Sequence, residues 1–141
     1  MRTACSALTL VLLALVLGAC GGESSEEKAQ STVCDARADI GTQVDKLKGL
    51  TPATITTDAV SQSLDAIRKD LQDIAGAQGD LSDDRRSEVE AANKAFTSSV
   101  KTIASDVVTS LSAADAKTAL VSAMQSLGDA YEKAFTPVKC S

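Results

Sequence analysis

The stretch SDDRRSEVEAANKAFTSSVKTIASDVVTSL, residues 82–111, carries the pattern that decides the fold. Val89, Ala92, Phe96, Val100, Ile103 and Val107 recur along it at steps of three and four, with Leu111 one turn beyond. That is the period of one face of an α-helix, sustained too long for a strand. Ser82, Asp83 and Asp84 stand at its start. There a capping side chain and two carboxylates meet the unpaired N–H groups and the positive end of the helix dipole. Polar residues fill the rest of the circumference, so the helix has one narrow face to bury and needs partners for it.

Partners of the same kind lie on both sides. Upstream, one stripe consists of Val33, Ala36, Ile40, Val44 and Leu47, and a second of Val60, Leu64, Ile67, Leu71 and Ile74; downstream, a fourth consists of Leu120, Met124, Leu127, Tyr131 and Phe135. Gly49-Leu50-Thr51-Pro52 ends the first segment, because proline lacks an N–H and turns the preceding residue away from helix. Two starts are compatible with the second segment, Thr57 with Asp58 or Thr51 followed by Pro52. Gly76-Ala77-Gln78-Gly79-Asp80 supplies a glycine-based stop after it. Ser112-Ala113-Ala114-Asp115 is a partial capping box, with Asp where Glu or Gln would complete it, so one continuous helix or two both fit there.

Composition narrows what such helices can do. The chain has no His and no Trp, and Phe96, Tyr131 and Phe135 are its only aromatic residues, so the core must be built from Leu, Ile, Val and Ala. The net charge is −5, and Lys and Arg form no cluster. Nucleic-acid binding needs a basic stripe to neutralise phosphates, so it is not expected.

The N-terminus reads differently from the rest. Arg2 precedes an apolar run from Ala7 to Leu17, the length of a secretory hydrophobic region and well short of the roughly 18 or more residues that a membrane-spanning helix needs. Removing residues 1–19 takes away that one charge and leaves the chain at −6. The run ends in Leu17-Gly18-Ala19-Cys20, which resembles the lipobox of bacterial lipoproteins, with Gly18 where Ala or Ser is usual. The resemblance implies that the Cys20 thiol is joined to a diacylglycerol, that the bond before it is cut, and that acyl chains such as palmitate hold the protein on the outer face of the cell membrane. Ordinary secretory cleavage after Ala19 would need a small residue where Leu17 stands. The expected organisation is a signal peptide over 1–19, a lipidated cysteine and flexible tether over 20–31, and a helical domain over 32–141. Residues 21–31 hold no large apolar side chain, and as a random spacer they would reach about 18 Å.

On this reading Cys5 leaves with the signal and Cys20 carries lipid, so Cys34 and Cys140 remain, bracketing the domain. An exported chain meets an oxidising compartment, where two leftover cysteines are expected to pair. Pairing requires Cα atoms about 4.4–6.8 Å apart, so both ends of the domain must meet. In up-down order an even number of helices returns the chain to its starting end, which favours an antiparallel four-helix bundle over three helices. The whole layout resembles the small cysteine-bracketed helical lipoproteins of high-GC Gram-positive bacteria, a likeness that implies no activity.

Candidate chemistry is sparse. Without histidine, hydrolase triads, di-metal bundle sites and the usual haem ligation are unavailable. Ser98 and Lys101 match the Ser-x-x-Lys spacing of penicillin-binding enzymes, but the companion motifs are absent. Asp80, Ser82 and Asp84 imitate the start of a calcium loop, with Arg85 where the tight turn needs Gly and Ala91 in place of the bidentate Glu. The pairs Asp35/Asp39 and Asp70/Asp73 lie one turn apart; the first suits a helix start and the second is expected to face solvent beside Arg68 and Lys69. The expected function is therefore non-enzymatic and cofactor-free: a lipid-anchored, monomeric helical protein that binds or spaces at the cell envelope. The alternative is a carrier or sensor holding a small apolar ligand between its helices.

Overall fold

The computed structural model describes residues 22, 24–110 and 114–140, so the expected signal peptide and Cys20 lie outside the described residues. The fold is a four-helix bundle: α1 Ser25–Lys48, α2 Thr57–Ala77, α3 Asp83–Ser110 and α4 Ala114–Phe135, with one 3₁₀ turn, Gln78–Asp80, between α2 and α3. Neighbours around the bundle are α1 and α2, α2 and α3, α3 and α4, and α4 and α1. Residues 111–113 lie outside the described residues, but α3 and α4 pack side by side, which one continuous helix could not do.

The start of α1 corrects the expected tether. Ser24 and Glu27 form a reciprocal cap: the Ser24 N–H donates to Glu27 Oε2 at 2.7 Å and the Glu27 N–H to Ser24 Oγ at 3.2 Å. Residues 25–31 are therefore helical, and Ala29 is buried. The reason is local, since Ser-x-x-Glu is a helix-start pattern in its own right and Ala, Glu, Lys and Gln are good helix formers that need no large apolar side chain.

The other boundaries follow the same chemistry. α1 closes at Gly49, whose N–H reaches back to the Asp45 carbonyl at 3.0 Å. Thr56 caps α2, its Oγ1 accepting from the Ala59 N–H at 3.2 Å, and Ile55 just before it is buried. α2 runs through Gly76 to Ala77. In the turn that follows, Arg86 folds back from α3: its Nε donates to the Gln78 carbonyl at 3.1 Å, and its Nη2 to Gly79 at 3.1 Å and Leu81 at 2.9 Å. One guanidinium thus holds three carbonyls of the turn, that of Gln78 also accepting from the Leu81 N–H at 3.3 Å.

The four stripes meet along the axis. Ile40, Val60, Ile67, Ile74, Phe96, Met124, Leu127 and Phe135 are completely shielded from solvent. The three aromatic rings form one cluster: Phe96 stands edge-on to Tyr131 and to Phe135, each at 5.7 Å, and Tyr131 lies 5.3 Å from Phe135. Such pairs add about 0.5–1.5 kcal/mol each beyond the area they bury. Asn93 ties α3 to α2 through its Nδ2, which donates to the Leu71 carbonyl at 3.2 Å.

Candidate functional site

The feature most elaborately built is the seam where α1 receives α4 and the tail behind it. Pairing of Arg37 with Val138, Gly41 with Tyr131 and Lys48 with Gln125 sets the two helices antiparallel. Pro137 follows α4, and the tail turns inward so that Val138 is buried. This brings Cys140 to Cys34, with Cα atoms 5.5 Å apart and the sulfurs bonded, as the sequence led us to expect. The bridge spans 106 residues.

Side chains beside the bridge hold the tail in place. Arg37 Nη1 donates to the Val138 carbonyl at 2.7 Å, and the Tyr131 hydroxyl donates to the Arg37 carbonyl, also at 2.7 Å. Burial raises the Tyr131 pKa above its ordinary value, an effect that Arg37 partly offsets. Gly41 makes the approach possible, because a Cβ there would stand 2.9 Å from the Tyr131 hydroxyl oxygen. Sequence reasoning did not find Arg37 or Gly41. The one signal available was a glycine inside a helical stripe, which costs about 1 kcal/mol against alanine and so calls for a packing reason.

The remaining candidate residues are not assembled into a catalytic or metal-binding group. Ser98 Oγ donates to the Lys94 carbonyl at 3.2 Å, one turn back on its own helix, and both Ser98 and Lys101 are exposed. Asp80 sits in the 3₁₀ turn whose carbonyls Arg86 occupies, and the Ser82 carbonyl accepts from the Arg86 N–H. Among the described residues, no three His, Cys, Asp or Glu side chains are grouped to hold a metal ion. The Asp70/Asp73 pair is split, and the expectation that it faces solvent is corrected for Asp70, which is 9 % exposed at the α1–α2 interface. Burial, then the Asp39 carboxylate across the interface, raises the Asp70 pKa, while Lys69 opposes the rise. Asp73 is exposed and pairs with Lys69 at 2.7 Å. The helical period places residue 70 beside Leu71 and Ile74, and its burial depends on what α1 sets opposite.

Two clefts open to solvent flank the seam. One, of about 490 Å³, lies among Gln30, Val33, Leu81, Arg85, Val89 and Val138. The other, of about 680 Å³, runs between α3 and α4 and is floored by Ala91, Ala95, Ala130 and Ala134. No helix among the described residues is long and apolar enough to cross a membrane. No family model, curated protein or solved structure matches the chain.

Proposed function

We propose that the protein is a lipid-anchored helical binding or structural protein of the bacterial cell envelope, monomeric and held on the outer face of the cell membrane through acylated Cys20. The observation that carries the reading is the Cys34–Cys140 bridge. It uses both cysteines of the bundle and suits an oxidising compartment outside the cytoplasm. That leaves Cys5 and Cys20, of which Cys20, at the end of Leu17-Gly18-Ala19-Cys20, is the thiol for the lipid. The bundle surface, with its ion pairs at Arg68–Asp65 and Lys69–Asp73, is that of a domain displayed in water rather than one embedded in lipid. Its role is to bind or to space, without catalysis, cofactor or nucleic acid.

The test is metabolic labelling with a fatty-acid probe. Wild-type protein is expected to take up label and lose residues 1–19, whereas Cys20→Ser, lacking a thiolate, stays unlabelled and uncleaved. Equal labelling of the two would refute the reading. A carrier of small apolar ligands is the weaker alternative, because the clefts described are open and the aromatic cluster fills the centre.

A further inference from the structure

We propose that the bundle stands end-on at the membrane, with the start of α1 and the α2–α3 turn nearest the phospholipid headgroups and the loop 49–56 at the end turned away from them. This rests on the lipid-anchor reading of Cys20 and adds to it which end of the protein faces the bilayer.

The argument begins with the cap on α1. Because Ser24 and Glu27 fix the helix start and Ala29 packs inward, the chain becomes rigid only four residues after Cys20. Whatever its conformation, a four-residue step spans at most about 14 Å. An acylated Cys20 keeps its α-carbon at the bilayer surface, so the start of α1 is confined to that distance from it. The α2–α3 turn is confined with it: Ser25, Lys28 and Ala29 border one depression together with Gly76, Ala77 and Asp80. At the other end, α1 closes at Gly49 after 24 helical residues. At 1.5 Å per residue this sets the loop 49–56 about 36 Å further along the axis.

Charge and polarity keep the axis from lying down. Around the near end, carboxylates predominate in the exposed set, with Glu26, Glu27, Asp80, Asp83, Asp84 and Glu88. Anionic headgroups repel them, so this end is tethered without being drawn in. On the flanks the exposed charges are mixed, and the more apolar cleft, between α3 and α4, is floored by alanines that project no side chain deep enough to enter a bilayer. A partner approaching from outside therefore meets first the ends of α3 and α4, which reach past the loop 49–56, since α4 begins 11 residues, about 16 Å, before Gln125, the residue bonded to Lys48 at the end of α1.

The test measures energy transfer on the full chain, lipidated in a bacterial host and reconstituted in vesicles of phosphatidylglycerol and phosphatidylethanolamine containing a dye-labelled lipid as acceptor. A donor dye is attached to an unnatural residue replacing Asp80 or, separately, Thr54, both exposed. Transfer is expected to be severalfold more efficient from position 80. Inserting a ten-residue Gly-Ser linker after Gly22 should lower transfer from position 80. Equal transfer from both positions, or no response to the linker, would overturn the end-on arrangement while leaving the anchor intact. Transfer from neither position would overturn the anchor reading itself, and the proposal with it.

Discussion

Replacing Gly41 by alanine probes the contact on which the α1–α4 seam closes. The new Cβ would stand 2.9 Å from the Tyr131 oxygen and 3.3 Å from its Cζ. The ring has little freedom to retreat, since Phe96 and Phe135 pack on it at 5.7 and 5.3 Å. Overpacking of this kind costs about 1–3 kcal/mol. Displacing the hydroxyl from the Arg37 carbonyl removes a further ~1 kcal/mol, against which alanine in a helix interior contributes about 1 kcal/mol relative to glycine. Gly41→Ala is therefore expected to destabilise by about 1–3 kcal/mol. In a Tyr131→Phe background the 2.9 Å contact is gone and the 3.3 Å contact with Cζ remains, so the same substitution should cost less than it does in the wild type. The assay is urea unfolding of residues 22–141, followed by far-UV circular dichroism, over the four members of the cycle. An equal effect of Gly41→Ala in both backgrounds would show that the hydroxyl contact does not set the seam.

Three further outcomes follow from the same structure. Replacing Cys34 and Cys140 by serine releases a 106-residue loop and should lower stability by up to about 4.7 kcal/mol, read as a lower urea midpoint that matches the wild type under reductant; unchanged midpoints would mean that the bridge is not formed. Asp70→Asn should stabilise the protein at neutral pH. The native Asp70 pKa is raised, so the folded state binds more protons than the unfolded one and stability falls as pH rises through the carboxylate range. The advantage of Asn should accordingly shrink on acidification, and an advantage that grows instead would contradict the raised pKa. A chain beginning at Thr32 loses the Ser24–Glu27 cap and buried Ala29, and should be less stable than one beginning at Gly22 by about 1–2 kcal/mol; equal thermal midpoints would return residues 22–31 to a flexible spacer.

What the sequence determined by itself is what recurs along the chain. A helix face repeats every three or four residues, so the stripes from Val33 to Leu47, Val60 to Ile74 and Val89 to Val107 could be read without knowing their neighbours, and all of them are buried. Cys34 and Cys140, at the two ends of that pattern, were enough to ask for an even number of helices. Even the early start of α1 was present in Ser24 and Glu27, and was hidden only because apolar size is a poor guide where alanine makes the contact. What the tertiary structure alone decided is which residues stand opposite one another across a seam. Arg37 reaches Val138 from 101 positions away and Tyr131 reaches Arg37 from 94, and neither spacing has a period that a linear reading could detect. Asp70 is buried within reach of the Asp39 carboxylate of α1, and Ile55, Leu81 and Val138, which lie outside the four helices, are buried as well. Periodicity belongs to a single helix; apposition is settled only when four helices choose one packing from the many that their stripes allow.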